Sequence, residues 1–270
     1  MQKIKNKLLE IIKAEDIKTL LDYTNERYRL YDPGLYLYNL MSNYSFKEKF
    51  SDEFIELVYT TLTAWNMNQR AAKLAKFDLF KQSIFDNKDT IQSLEKYRIE
   101  ELDTIDIIEK PIRSLFDKLN LVETKSKLVT FSKTLHFFLP NLLMPIDRAY
   151  TLCFFYNYYR EGDFDEQIRI YLDIFDQFRL FARKHIDNNA FKERDKRWNK
   201  NLPKMIDNII IAFINKQMKT YAIYAEMEQK PRFYVKAKDC DDLVKIMEQR
   251  NNENKPCGMF PGWFPKEINN

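Results

Sequence analysis

The sequence predicts a mainly α-helical protein, a multi-helix globular bundle with a small C-terminal strand/helix appendix and an irregular tail. Three observations predict this class. First, 45% of the 270 residues are hydrophobic and 31% are charged, which is the composition of a globular chain. Second, only 4 glycines are present, so the chain is poor in the residue that tight turns and phosphate-binding loops need. Third, the apolar residues recur at the spacing of amphipathic helices.

Helical periodicity runs along residues 1–228, which we expect to form one all-helical domain. Ser51 precedes two acidic residues and is a predicted N-cap, because its hydroxyl and the two acids favour a helix start. Thr130 or Ser132 is expected to cap a helix that ends before Pro140, and Asp147 is expected to cap the next one. The main predicted helical segments are 3–24, 52–65, 70–85, 89–102, 103–119, 130–139, 147–159, 165–186 and 204–226.

The composition changes near residue 229, and residues 229–270 are expected to form a C-terminal appendix. Residues 232–236 are a predicted short strand and residues 239–249 a predicted helix. Residues 251–270 contain two of the four glycines and three of the nine prolines, which predicts an irregular tail. The aromatic run Phe260–Phe264 is expected to dock a protein partner or a second copy of the chain, unless it packs against its own body.

Charge and cysteine usage narrow the classes of partner and cofactor. The net charge of +4 permits an anionic partner such as DNA without demanding one. The three cysteines form no CxxC pair and there are two histidines, so we expect no metal and no cofactor. No stretch approaches the roughly 18 apolar residues of a membrane helix, and the N-terminus has no signal-type apolar run. We therefore expect a cytoplasmic protein without a membrane partner.

The segment 127–155 brings an amine, an imidazole and a carboxylate within 15 residues of one another, in Lys133, His136 and Asp147. A lysine amine attacks carbon only in its neutral form, which burial favours, and a nearby carboxylate stabilises positive charge on the reacting carbon. His136 follows Lys133 by three residues, so both can share one helix face, and His136 is the third candidate catalytic residue. The alternative interpretation is structural: a solvated Lys133, Asp147 as an ordinary cap, and His136 as a satisfied core residue.

The two motifs TFSKTLHF and MPIDRAY place a lysine early in one helix and a Pro-Ile-Asp segment at the start of the next. Over residues 112–160 this arrangement resembles the core of the helix-hairpin-helix DNA glycosylase superfamily. The resemblance implies base excision by cleavage of the N-glycosidic bond, with Lys133 as the nucleophile and Asp147 as the charge stabiliser. The chain departs from the family pattern in lacking glycine at residues 128–132, where the family has a Gly-rich hairpin, and in the short interval between the two residues.

A positively charged segment near residues 183–204 supplies candidate contacts to nucleic acid. Cations interleaved with an aromatic ring suit a phosphate backbone and a stacked base, whereas a solvated loop between helices is the alternative. The predicted nucleic-acid-binding residues are Arg148, Arg183, Lys184, Arg194, Lys196, Arg197, Trp198 and Lys200.

Two functional hypotheses follow. The first is a DNA glycosylase/lyase-like enzyme that acts on nucleic acid through Lys133 and Asp147. The second is a non-catalytic helical protein that binds a protein partner or DNA, in which the same two residues are structural. The first hypothesis expects the ammonium of Lys133 and the carboxylate of Asp147 to face one concave pocket. The second expects them to point to solvent on separate faces.

Overall fold

A computed structural model describes residues 7–27, 33–65, 67, 73–156, 162–185, 189–192, 198–217, 219–225, 231, 233–238, 243–244, 246–247 and 263–268. These residues are mainly helical, and the predicted fold class is confirmed. They form two compact units, residues 1–212 and residues 213–270, whereas the sequence suggested a division after residue 228. No helix in the described ranges has the length and apolarity needed to cross a membrane.

The helices lie mostly in the first unit and are named here in chain order. They are α1 (Lys7–Ala14), α2 (Ile17–Arg27), α3 (Pro33–Met41), α4 (Asp52–Ala64), α5 (Phe77–Asp86), α6 (Lys88–Leu94), α7 (Asp106–Lys118), α8 (Leu128–Phe138), α9 (Cys153–Tyr156), α10 (Phe164–His185), α11 (Asn189–Lys192) and α12 (Leu202–Gln217). The predicted N-cap Ser51 accepts a hydrogen bond from the Phe54 N–H at the start of α4.

Helix α8 is the centre of the first unit. Every residue from Thr130 to Phe138 is buried, as expected for a helix enclosed on all sides. It packs against α4 and α10. The rings of Phe131 and Tyr171 on α10 are 5.4 Å apart, and those of Phe138 and Phe54 on α4 are 5.3 Å apart. The polar groups on α8 therefore depend on partners inside the protein, and the Thr134 hydroxyl has none among the described residues.

The start of α8 is held by a side chain from another helix. The Gln167 amide oxygen on α10 accepts hydrogen bonds from the Lys127 and Leu128 N–H groups at 2.9 and 3.1 Å. Its amide nitrogen donates to the carbonyls of Lys125 and Gly162. This one buried side chain satisfies four backbone groups that would otherwise be open. The prediction that Thr130 or Ser132 caps α8 is therefore wrong, because the helix begins earlier.

Ser132 instead connects α8 to the segment around Ile146 through its hydroxyl. Its hydroxyl donates to the Val129 carbonyl and accepts a 3.0 Å hydrogen bond from the Ile146 N–H. The next residue, Asp147, is an N-cap as predicted, with its carboxylate accepting from the Ala149 N–H at 2.8 Å. The turn that follows, Arg148–Leu152, is a π-helix rather than an α-helix, and α9 continues it to Tyr156.

The second unit contains a three-stranded antiparallel sheet. Its strands are β1 (Lys219–Ala225), β2 (Phe233–Ala237) and β3 (Trp263–Ile268), in the spatial order β2-β1-β3. Tyr221 pairs with Val235 and with Glu267. Alternate residues of β1 and β2 point to one face, where they form a small core. Its members are Tyr221, Ile223, Val235, Ala237, Leu243 and Met247.

Two predictions about the C-terminal part are corrected. The predicted helix 204–226 ends at Gln217, and residues 219–225 form β1 because alternating Tyr221 and Ile223 fill the sheet core. The tail is not wholly irregular, because residues 263–268 pair with β1 as β3. Most of the predicted helix 239–249 and residues 260–262 of the aromatic run lie outside the described residues.

Candidate functional site

Lys133 and Asp147 meet at the surface of the first unit. The Lys133 Nζ lies 3.2 Å from Asp147 Oδ2, as a hydrogen-bonded ion pair. The lysine side chain is 9% exposed and the aspartate side chain 35% exposed, so the carboxylate is the member that reaches solvent. The neighbouring contact between Ser132 and Ile146 holds the same two segments together.

The Asp147 carboxylate is kept ionised by its surroundings. Burial alone would raise its pKa, but the Lys133 ammonium and the N–H groups of Ala149 and Tyr150 outweigh burial and lower the pKa below its ordinary value. One carboxylate oxygen accepts from Ala149 and the other from Lys133. The site therefore presents a fixed negative charge at the beginning of a π-helical turn, a geometry often found at functional sites.

Trp65 forms one side of the Lys133 environment. The Lys133 ammonium lies 5.2 Å from the centroid of the Trp65 ring, within the range of a cation–π interaction. The same indole contacts Phe137, one turn further along α8, with ring centroids 5.4 Å apart. Lys133 is therefore held between an aromatic face and a carboxylate.

A series of hydrogen bonds between buried polar groups connects the Asp147 backbone to α12. The Asp147 N–H donates to the Thr151 hydroxyl at 3.2 Å, and that hydroxyl donates to Asp207 Oδ1 at 3.1 Å. The second oxygen of Asp207 accepts from Lys204 at 2.6 Å, within α12. Thr151, Lys204 and Asp207 are all buried. This arrangement fixes the backbone that carries the Asp147 carboxylate.

His136 is a fully buried member of α8 with both ring nitrogens engaged. Its Nδ1 lies 2.7 Å from the Leu143 carbonyl, which can only accept, so Nδ1 carries the proton. Its Nε2 lies 2.9 Å from the Tyr38 hydroxyl and accepts from it, while Asn201 donates to the same oxygen. Burial, followed by the charges of Lys204 and Lys49, lowers the His136 pKa to about 3. The imidazole is therefore neutral, and both of its nitrogens make hydrogen bonds inside the protein.

A cavity of about 520 Å³ opens at the C-terminal end of α8. His136 and Lys200, both predicted site residues, line it, but Lys133 and Asp147 do not. Two of the three predicted catalytic residues, Lys133 and Asp147, are thus brought together outside the lining of this cavity, whereas the third, His136, lines it. The remaining walls come from the end of α3 and the loop after it, from the end of α8 with residues 139–142, and from Glu95, Tyr97 and Asn201.

The predicted nucleic-acid contacts have diverse environments. Arg148, Arg183 and Lys184 are exposed, and Arg183 also donates to the Leu102 carbonyl and pairs with Asp103 at 2.8 Å. Lys200 donates to the Ser42 hydroxyl. The remaining predicted cations, Arg194, Lys196 and Arg197, lie outside the described residues.

The prediction that Trp198 stacks on a base is corrected. The residue is 8% exposed, and its ring packs against Tyr38 at a centroid distance of 5.3 Å. The Lys204 ammonium lies 4.9 Å from the same ring. The indole thus belongs to the core beside α12, where a nucleotide base does not reach it.

Sequence reasoning missed Tyr38, Lys49, Thr151 and Asp207. Thr151 follows Asp147 by four residues, a spacing that could have indicated a shared turn. Tyr38 is 98 residues from its partner His136, and Lys49, whose Nζ donates to the Phe137 carbonyl, is 88 residues from that residue, so local pattern carries no signal for either.

The described residues contain no group of three or more His, Cys, Asp or Glu side chains arranged to hold a metal ion. Comparison with models of known families, with curated proteins and with solved structures finds no match.

Proposed function

We propose that the chain acts on nucleic acid as a DNA glycosylase-like enzyme that excises a base by cleaving its N-glycosidic bond. The observation that supports this proposal is the contact between Lys133 and the solvent-facing carboxylate of Asp147. An amine and an ionised carboxylate side by side are the two groups that this reaction needs at the sugar carbon. Exposed Arg148, next to Asp147, adds positive charge where a phosphate backbone would approach.

In the proposed reaction the bond between C1′ and the base nitrogen breaks, and its electrons leave with the base. The Asp147 carboxylate stabilises the positive charge that develops on the sugar. The Lys133 ammonium gives its proton to the departing base, and the resulting neutral amine forms the new bond to C1′. The base must leave the stack before these steps, as in other enzymes that act on a base within DNA.

A second candidate is a non-catalytic helical protein that binds DNA or a protein partner. One observation favours it: each member of the pair also has a structural role. Asp147 caps the π-helical turn through Ala149, and Lys133 lies against the Trp65 ring. A structural ion pair would be arranged in the same way.

The test measures base release from duplexes that each carry one deaminated, oxidised or alkylated base. We expect Lys133→Gln and Asp147→Asn to abolish release while the circular dichroism spectrum and melting temperature stay close to those of the unmodified chain. Lys81→Gln is the matched control, because it breaks another lysine–aspartate pair, with Asp52 at 2.9 Å, away from the site. Base release that persists in both site variants would remove the catalytic proposal.

Binding without base release would favour the second candidate. A salt titration with single-stranded and duplex DNA tests whether the partner is DNA or a protein, because binding through phosphate contacts weakens steeply as salt increases. If DNA does not bind even at low salt, the nucleic-acid proposal fails and a protein partner is the alternative to test.

A further inference from the structure

The cavity at the end of α8 contains an unusual amine. Lys49 lies in the 3₁₀ turn that precedes α4 and is buried. Its Nζ donates to the Phe137 carbonyl at 2.7 Å and to the Phe138 carbonyl at 3.1 Å, the last residues of α8. Lys49 also lines the cavity.

Lys49 differs from the other buried lysines of the described chain in having no carboxylate partner. Lys133 pairs with Asp147, and Lys204 pairs with Asp207 at 2.6 Å. No carboxylate among the described residues lies within 4 Å of the Lys49 nitrogen, and Glu95 acts on it only from a longer distance. An ammonium without a counter-ion is disfavoured by burial.

The two hydrogen bonds of Lys49 can be made by the neutral amine as well as by the ammonium. A neutral amine has two N–H groups and one lone pair, and the two carbonyl acceptors account for both N–H groups. Burial lowers the Lys49 pKa to about 8, against the opposing charge of Glu95. At pH 7 this gives about 300-fold more neutral amine than a lysine with its ordinary pKa.

The walls of the cavity favour a planar ligand. Rings of Tyr38, Tyr44, Tyr97 and Phe137 line it, and its volume lies within the range of small-molecule sites. The cavity is reached from solvent, because Ser42, Asn43 and Asn141 in its lining are exposed.

We propose that Lys49 is the reactive amine of a pocket for a small aromatic aldehyde, which it captures as an imine. The amine nitrogen bonds to the carbonyl carbon, and one amine proton passes to the carbonyl oxygen. The resulting hydroxyl leaves with the second amine proton as water, and a C=N bond remains. The step needs no oxidant or reductant, and it is independent of the proposed function because it uses neither Lys133 nor Asp147.

The test incubates the folded chain with benzaldehyde and sodium cyanoborohydride, which fixes an imine as a stable amine, and maps the modified lysines by peptide mass spectrometry. We expect Lys49 to be modified about tenfold faster than Lys47, an exposed lysine two residues away. Equal rates at the two lysines would overturn the proposal. Separate quantification of the peptide containing Lys133 keeps this result distinct from the test of base excision.

Two further arms test the aromatic selectivity and the pH dependence. Relative to the rate of Lys47 with the same aldehyde, benzaldehyde should modify Lys49 faster than propanal does, and Tyr97→Leu should slow benzaldehyde without slowing propanal. Equal relative rates for the two aldehydes would overturn the aromatic ligand class. The rate at which Lys49 is modified should increase as pH rises through about 8. Among the other groups that line the cavity, His136 is neutral in this range, and Glu95 and Lys200 carry charge. A rate that does not change across this range would contradict the neutral amine.

Discussion

The Thr151 hydroxyl lies 3.1 Å from Asp207 Oδ1 and donates a hydrogen bond to it, while it accepts one from the Asp147 N–H. One buried hydroxyl therefore connects α12 to the residue that carries the candidate catalytic carboxylate. Because Asp207 and Thr151 are both buried, water cannot easily replace a lost partner.

The first prediction concerns this hydroxyl. Thr151→Val keeps the shape of the side chain but leaves the Asp147 N–H and one Asp207 oxygen without their partner. We expect the free energy of unfolding, measured by urea denaturation, to fall by about 1–3 kcal/mol. Thr151→Ser keeps the hydroxyl and should lose less stability. A smaller loss in the valine variant than in the serine variant would contradict the hydrogen-bond account.

The second prediction is the strength of the Lys133–Asp147 pair. A double-mutant cycle with Lys133→Met and Asp147→Asn should give a coupling energy of about 0.5–1 kcal/mol, because the partly exposed aspartate is screened by solvent. The coupling should decrease with added salt. Coupling that is absent at low salt would show that the two charges do not stabilise each other.

The third prediction is a rise in stability at alkaline pH that depends on Lys49. Its folded-state pKa of about 8 lies below the ordinary 10.5, so between these values the unfolded chain binds more protons than the folded chain. The free energy of unfolding should therefore increase with pH across this window, by at most about 3 kcal/mol. Lys49→Met should remove this contribution. An unchanged pH profile in the variant would contradict the lowered pKa.

The fourth prediction is the tautomer of His136. Its lowered pKa of about 3 means that the folded imidazole stays neutral at pH 5, with the proton on Nδ1. The ¹⁵N chemical shifts of the ring should show this tautomer without change from pH 7 to pH 5. Between pH 6.5 and about 3 the unfolded chain binds a proton that the folded imidazole does not, so stability should fall as pH falls. An imidazolium spectrum at pH 5 would contradict this assignment.

The fifth prediction concerns the Gln167 side-chain amide, which bonds four backbone groups near the start of α8. Gln167→Leu leaves the four backbone groups held by this amide without a partner, and we expect a loss of about 2–4 kcal/mol in the free energy of unfolding. Gln82→Leu is the matched control, because the exposed Gln82 amide bonds only the Asp86 side chain among described groups. Similar losses in the two variants would argue against a special role for Gln167.

The helical part of the fold was predictable because its signals are local. Ser51 caps α4, and the apolar spacing of residues 165–186 matches α10 closely, since the determining residues lie within a few turns of one another. The start of α8 was not predictable from capping chemistry, because its N–H groups are satisfied by Gln167, 39 and 40 residues along the chain. Strand β1 was misread because its apolar residues directly continue those of α12.

The candidate site also contains residues that the sequence indicates and residues that it does not. Lys133 and Asp147 are separated by 14 residues in the sequence, and a helix followed by a short return segment can bring them together. Tyr38 and Lys49 reach α8 only through tertiary packing, so no spacing in the sequence indicates them. Trp198 was assigned to the surface because charged residues surround it in the sequence, whereas its ring is buried beside Tyr38.

The π-helical turn at residues 148–152 has a consequence for the direction of the Asp147 side chain. The Leu152 N–H bonds to the Asp147 carbonyl five residues earlier, so this turn holds one residue more than an α-helical turn. Deleting one residue here would close an ordinary turn and rotate everything before it by about 100° relative to α9. The extra residue therefore sets the rotation between Asp147 and α9. With it, Phe155 of α9 is buried while the Asp147 carboxylate points toward Lys133.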